Sequence, residues 1–319
     1  MKYSKLTFFL IGLFLIFLAL HLTPYTLPLV TAAPHITGYR LPGEPQDGVK
    51  KIPDVEQLRR AGYSAQAIAL KFGTVGTKKL AVIFVQFPSA GSNTNGPADG
   101  KFSTALPNDF ANARKYLTDF VEYYQEVSYG KFNIQVTTFL TDNSAYTLDK
   151  PMEYYGYTTT DADVESKSYQ LIKDAIDKTP LTEVTSLKFD GVMVFHAGYG
   201  EESNPSRDKP GDIYSLYLPW TGPAVRGFQD GCIVPARAVS PGSPFGVICH
   251  EFGHMLGLPD LYNSNTGISQ VGKWCLMDAG TWAGPAFAPG SQPSHLSAWS
   301  KLYLGWLSPL NVQLDLPES

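Results

Sequence analysis

The sequence predicts a protein of the α/β or α+β class, and three observations support this expectation. The chain has 319 residues, of which 44% are hydrophobic and 17% charged, as is typical of a protein with a sizeable core. Short apolar runs predict buried strands, and longer segments with apolar residues three and four positions apart predict amphipathic helices. Because the two kinds of element alternate along the chain, we expect helices to pack on a sheet.

Each element follows from one of these two patterns. Unbroken apolar runs predict strands over residues 80–85 and 192–195, and an alternating pattern predicts a strand over residues 132–140. Helical spacing predicts three helices, over residues 55–71, 108–127 and 161–178. The C-terminal third is rich in Gly, Pro and Trp, and we expect it to be mostly loop.

The N-terminus has the pattern of a secretory signal. Lys2 and Lys5 precede an apolar run over residues 6–20, which is short of the roughly twenty residues that a membrane-spanning helix needs. We expect cleavage after Ala32, so that residues 1–32 are a signal peptide; an uncleaved anchor is the alternative. No second apolar run of membrane length follows, so we expect a secreted protein without a stable membrane span.

Charge and cysteine content narrow the function classes. Removal of the two lysines takes the formal net charge from −4 to −6, which argues against nucleic acid as a partner. Secretion would allow a disulfide between Cys232 and Cys249, although buried free thiols are an equal alternative. Cys275 is then the cysteine without a partner.

One short segment predicts a metal centre. His250 and His254 lie four positions apart, so in a helix they share one face and can bind one ion. Glu251 is turned about 100° away from His250, which places its carboxylate beside a metal-bound water and not on the metal. Because imidazole nitrogens suit Zn²⁺, we expect zinc as the cofactor and Glu251 as the catalytic base.

The flanking residues predict where this helix begins and ends. Ser243 is a good N-cap before Pro244, and Gly257 stands where a left-handed residue ends a helix, so the helix should span residues 244–256. A sharp turn at Gly257 can bring Asp260 back to the ion as third metal ligand. His295 is the alternative third ligand.

This segment resembles the metzincin clan of zinc peptidases, whose pattern is H-E-x-x-H-x-x-G-x-x-H/D followed by a Met-turn. Asp260 occupies the last position of the pattern, and Met277 lies in a candidate Met-turn. More narrowly, the chain is similar to the M6 family, the immune inhibitor A-like secreted metallopeptidases, over roughly residues 79–310. The matching segments are residues 123–131, 196–200, 250–262, 271–277 and 300–306.

The resemblance implies a fold, an organisation and an activity. The fold is a metzincin-like zincin domain with a mixed twisted sheet, backing and active-site helices and a loop-rich C-terminal subdomain. Residues 79–319 would form this catalytic domain, after an N-terminal arm or short pro-segment over residues 33–78. The activity is that of a zinc-dependent endopeptidase acting on proteins or peptides. We expect the protein to be a monomer. Structural calcium often accompanies this family.

Weaker signals give further hypotheses. Asp260, Asn263, Asn265 and Asp278 form an oxygen-rich neighbourhood for calcium. His196 ends a strand and is favoured as a core histidine.

The sequence also suggests residues for substrate handling. An extended substrate is expected along a sheet edge near residues 213–218, and Tyr199 and Tyr262 are candidates for stabilising an oxyanion. The alternative functions are a catalytically silent secreted surface or adhesion module, or a zinc amidase with Cys232 as third ligand.

Overall fold

The computed structural model describes residues 73–88, 100–102, 109–141, 144–180, 182–203, 211–220, 222–263 and 268–310. The predicted signal peptide, the predicted helix over residues 55–71 and most of the predicted arm lie outside these ranges. Of the arm, residues 73–78 are described, and a strand begins there at Gly76. The Thr74 hydroxyl donates to the carbonyl of Leu304 at 2.9 Å, so this part of the arm packs with the domain.

Strands and helices alternate over the first two thirds of the described chain. The strands are β1 Gly76–Gln86, β2 Phe132–Phe139, β3 Tyr146–Thr147, β4 Gly191–Tyr199, β5 Leu216–Pro219, β6 Asp230–Arg237, β7 Tyr262–Asn263 and β8 Ile268–Ser269. The α-helices are α1 Asp109–Val127, α2 Met152–Gly156, α3 Asp161–Lys178, α4 Phe245–Met255 and α5 Ala298–Tyr303. The C-terminal third is mostly loop with short 3-10 turns, as its composition predicts.

The main sheet is mixed but mostly parallel. Its strand order is β2-β1-β4-β6-β5, with β3 also paired to β1. All pairings are parallel except that of β5, which runs antiparallel to β6 and forms one edge of the described sheet. Strands β7 and β8 form a separate antiparallel pair beside the site described below.

Two hydrophobic cores explain the apolar runs in the central strands. Leu80, Val82 and Phe84 of β1 face a core with α1 and α4, whereas the residues between them face a core with α2 and α3. Both faces of β1 and β4 are therefore covered, and a strand buried on both faces is apolar at every position. The strand and helix predictions over the described residues are confirmed, with the strand predicted over 132–140 ending one residue earlier.

The α/β or α+β class is confirmed by this architecture, and the finer metzincin topology stays a prediction. No helix of the described residues is long and apolar enough to cross a membrane.

Candidate metal centre

Helix α4 is a buried helix under the β5 and β6 edge of the sheet. Its first nine residues, Phe245 to Gly253, are all buried. Pro244 already has helical backbone angles, and the Ser243 hydroxyl accepts a hydrogen bond from the N–H of Phe245 at 3.3 Å, as expected of an N-cap. The Tyr124 hydroxyl of α1 donates to the carbonyl of Cys249 at 2.6 Å, which fixes α4 against α1.

The turn after α4 brings Asp260 back toward the helix. Gly257 has a φ of +93°, a conformation that favours glycine. Its N–H donates to the carbonyl of His254 at 2.8 Å, and the N–H of Leu258 donates to that of Gly253 at 3.1 Å. This is the pattern of a Schellman C-cap, and the chain reverses there as the sequence predicts.

His250, His254 and Asp260 converge at the end of this turn. The two Nε2 atoms are 3.1 Å apart, and Asp260 Oδ1 lies 3.1 Å from that of His250 and 3.3 Å from that of His254. Two ligands on one tetrahedral zinc ion, at about 2.0–2.1 Å from it, lie about 3.3 Å from each other. These residues form the one group of three metal-ligating side chains found among the described residues.

The outer partners of the two histidines show that the group fits a cation. His254 Nδ1 lies 2.8 Å from the carbonyl of Leu258, and His250 Nδ1 lies 3.1 Å from the carbonyl of Leu276. A carbonyl only accepts, so each Nδ1 carries a proton, and Nε2 is the nitrogen that each ring turns toward Asp260. Two nitrogens and a carboxylate that face one another at this distance are held together by positive charge between them, which a proton or a metal cation can supply.

Charge coupling within the group is strong. Burial opposes ionisation, but the charge of His254 and hydrogen bonds from both imidazoles hold the pKa of the Asp260 carboxyl well below its usual range. Burial lowers the pKa of His254, but the Asp260 carboxylate outweighs it and holds that pKa above its ordinary value. The site thus favours a carboxylate paired with positive charge, which a divalent ion can supply.

Glu251 lies beside this group and not within it. It is buried, and burial raises the pKa of its carboxyl, opposed by the charges of His250 and His254. The backbone N–H of Tyr217 in β5 donates to this carboxylate. Glu251 can therefore hold a proton next to the converging ligands while it stays anchored to the edge strand.

Met277 and its neighbours form the floor beneath α4. A Cβ added to Gly253 would lie 2.6 Å from Met277 Sδ, so the helix and the methionine are in close contact. The Met277 carbonyl accepts from the N–H of Leu261 at 2.7 Å, which ties the floor to the turn that carries Asp260. This placement agrees with the predicted Met-turn position.

His295 does not lie with the other candidate ligands. Its Nε2 is 3.0 Å from a carboxylate oxygen of Glu126 and its Nδ1 accepts from Lys301 Nζ at 3.1 Å, at the surface of α1 and α5. Of the two third ligands that the sequence left open, the structure brings Asp260 and not His295 to the pair.

His196 lies in the core, as the sequence predicts. It is fully buried with Nδ1 2.9 Å from the carbonyl of Ala197, and burial lowers its pKa to about 4.

The two tyrosine candidates differ in position. Tyr262 is buried and hydrogen-bonded to Asp260, and burial together with the charges of Asp260 and Glu251 raises its pKa above the usual range. Tyr199 packs instead under the guanidinium of Arg237. Only Tyr262 of the pair is therefore in contact with the group.

The predicted disulfide and the zinc amidase alternative both depend on Cys232. The Cys232–Cys249 disulfide is absent, since all three cysteines are free and buried. Cys232 donates to the carbonyl of Glu251 at 3.4 Å and is not part of the ligand group, which removes the ligand that a zinc amidase would need.

Asp278 has a structural role, and the predicted calcium site stays a prediction. Its carboxylate accepts from the N–H groups of Gln270, Val271, Gly272 and Ala279 at 2.6 to 3.0 Å. Asn265, another residue of that hypothesis, lies outside the described residues.

Two residues near the site were not found by sequence reasoning. The Thr281 hydroxyl lies 3.0 Å from His250 Nδ1, and the buried Glu202 carboxylate binds Ser215 ahead of β5. Neither has a local sequence signal, because each acts through a contact that only the folded chain creates.

Comparison with known proteins agrees with the geometry. A family model described as the catalytic domain of immune inhibitor A peptidase M6 matches residues 220–307, which include α4, Asp260 and Met277. Pre-pro-metalloprotease PrtV of Vibrio cholerae serotype O1 is 24% identical over 308 residues, covering 80% of this chain and 32% of the relative. Immune inhibitor A of Bacillus thuringiensis subsp. alesti is 28% identical over 229 residues, covering 58% of this chain and 31% of the relative. The chain thus spans about a third of the length of these curated relatives.

Proposed function

We propose that the chain, which is similar to the M6 family of metallopeptidases over the residues that form the candidate site, is a secreted zinc endopeptidase that hydrolyses peptide bonds of proteins or peptides. The observation that carries this proposal is the convergence of His250, His254 and Asp260 beside the separate, buried carboxylate of Glu251. Three protein ligands that leave a fourth position open are typical of a catalytic zinc site.

Each residue of the site has its own role in the proposed reaction. A zinc ion held by the three ligands supplies Lewis-acid chemistry, since zinc acidifies water and polarises a carbonyl. Glu251 takes the proton of the attacking water and passes it to the leaving amine. The carbonyls of Leu276 and Leu258 orient the two imidazoles, and Tyr262 keeps a hydrogen bond on Asp260.

Strand β5 supplies the edge along which an extended substrate would bind. It lies at the edge of the described sheet and touches Glu251 through the N–H of Tyr217. A peptide that adds to a sheet edge is held by its backbone, so cleavage would depend on substrate length.

Substitutions at Glu251 and His254 test the proposal. Glu251→Gln should keep zinc and lose activity by about a hundredfold or more, the usual loss when a general base is removed. His254→Ala should lose both zinc and activity. His295→Ala is the matched control, because it removes an exposed histidine outside the group and should retain both.

The measurements are bound zinc, determined by elemental analysis after dialysis, and cleavage of a peptide library with and without a chelator. Full cleavage by zinc-loaded Glu251→Gln would exclude Glu251 as the base. A zinc-bound wild type with no chelator-sensitive cleavage would favour the catalytically silent surface module.

A further inference from the structure

A second buried carboxylate lies near the site, and the reaction described above does not use it. Glu202 is 6% exposed, in the short 3-10 turn Glu201–Ser203 that follows β4. Burial raises its pKa to about 7, against hydrogen bonds from Ser215 that lower it. Among the described residues no cation acts on the pKa of this acid, and a buried acid without one costs stability, so its contacts call for an explanation.

Both oxygens of Glu202 hold one residue, Ser215. Oε2 accepts from the backbone N–H at 3.2 Å and Oε1 from the hydroxyl at 2.8 Å. Ser215 directly precedes β5, so this carboxylate fixes the start of the edge strand.

The turn that carries Glu202 is itself anchored on two sides. The N–H of Glu201 donates to the carbonyl of Ile213 at 3.2 Å, and the N–H of Val239 donates to the Ser203 hydroxyl at 3.1 Å. Glu202 therefore links the end of β6 to the start of β5 from a fixed position.

The pairing of β5 with β6 shows which way its N–H groups point. Leu216 and Leu218 lie opposite Ile233 and Gly231, and the ladder continues with the N–H of Trp220 donating to Gln229. In an antiparallel pair, alternate residues bond inward, so the N–H groups of Ser215 and Tyr217 point away from β6.

Two carboxylates take these outward donors in succession. Glu202 accepts from Ser215, and Glu251 accepts from Tyr217, two residues later along the same edge. The next outward position is Pro219, which has no N–H. Because these contacts take the outward N–H groups, an extended substrate would meet this edge through the outward carbonyls, which accept from its own backbone N–H groups. The same side of β5 is anchored at one end by Glu202 and at the other by the proposed catalytic base.

We propose that Glu202 is a positioning residue of the substrate cleft, which holds Ser215 so that Tyr217 meets Glu251 and the outer edge of β5 keeps one register against an extended substrate. This inference rests on the proposed function. It predicts that Glu202 acts on the binding of long substrates although it touches neither substrate nor metal ligands.

Kinetics on a series of peptides of increasing length test the inference. Glu202→Ala removes both hydrogen bonds to Ser215 and should lower kcat/KM about tenfold for long peptides, chiefly through KM, with a smaller effect on the shortest cleavable peptide. Glu202→Gln retains one acceptor for the Ser215 N–H and should recover part of the loss. Glu122→Ala, which removes an exposed glutamate of α1, is the control and should match the wild type.

Amide hydrogen exchange of the zinc-loaded protein gives a readout that does not depend on activity. The segment with Ser215 and Tyr217 should exchange at least about tenfold faster in Glu202→Ala, whereas α4 should be unchanged. Unchanged exchange there, or equal loss of activity on long and short peptides, would overturn the positioning role. A zinc-loaded wild type that cleaves no peptide would overturn the proposed function, and the role of Glu202 with it.

Discussion

Thr281→Val tests whether the partners of His250 set the affinity for zinc. Thr281 is fully buried, and its hydroxyl donates to the carbonyl of Leu276 at 2.5 Å while lying 3.0 Å from His250 Nδ1. The proton on Nδ1 is therefore shared between the Leu276 carbonyl and this hydroxyl. Valine keeps the shape of threonine and removes only the hydroxyl.

The size of the effect follows from these contacts. The variant keeps the carbonyl at 3.1 Å from Nδ1, so the imidazole retains one of two acceptors. A net hydrogen bond contributes about 1 kcal/mol, and loss of an outer partner of a metal ligand lowers affinity about 10- to 100-fold. Because one acceptor remains, we expect the low end, a loss of about tenfold, or about 1.4 kcal/mol.

Competition for zinc against a chromogenic chelator at fixed pH measures this affinity. Thr281→Ser restores the hydroxyl and should bind zinc like the wild type, and Thr118→Val, which removes an exposed hydroxyl of α1, is the matched control. Wild-type affinity in folded Thr281→Val, or an equal loss in Thr281→Ser, would refute the reasoning.

Three further predictions concern packing, backbone and charge. Gly253→Ala should destabilise the fold by about 1–3 kcal/mol in urea unfolding, because its Cβ would lie 2.6 Å from Met277 Sδ, whereas Gly222→Ala has open space and should be neutral. Gly257→Ala should cost about 1–2 kcal/mol and weaken zinc binding, since alanine is strained at a φ of +93°; unaltered zinc affinity would show that Asp260 does not depend on this turn. Burial raises the pKa of Glu202 from an ordinary 4.5 to about 7, so the folded state keeps a proton that the unfolded state releases, and stability should fall by about 3 kcal/mol as the pH rises through this window. Glu202→Gln does not titrate, so its urea stability relative to the wild type should rise over the same window; parallel curves would contradict the assignment.

The parts of the protein that the sequence predicted are those with local causes. Helix α3 spans Asp161–Lys178 as its periodicity predicts, and α4 spans Phe245–Met255, one residue shorter at each end than expected. The return of Asp260 depends on Gly257, whose conformation is a property of a few adjacent residues. Periodicity, capping and turn chemistry each depend on residues that are close together in the sequence, so the sequence alone predicts them.

The parts that the sequence left open depend on distant contacts. His295 and Asp260 were both available as third ligands by residue type, and contacts with Glu126 of α1 and Lys301 of α5 hold His295 at the surface. Glu202 reaches Ser215 across 13 residues, and Thr281 reaches His250 across 31. Such contacts have no periodicity, so composition and spacing could not reveal them.

The two sides of the candidate site are built differently, and this difference has a consequence for catalysis. On the floor, a Cβ on Gly246 would lie 1.9 Å from the carbonyl oxygen of Thr281, and a Cβ on Gly253 would lie 2.6 Å from Met277 Sδ, so α4 lies flush against the segment that orients His250. These two contacts, one with backbone and one with a side chain, leave the ligand side little room to move. On the opposite side, β5 is paired with β6 on its inner edge and is held on its outer edge by hydrogen bonds to two carboxylates. Substitutions in the floor should therefore change zinc affinity and stability together, whereas substitutions that release β5 should change substrate binding while zinc stays bound.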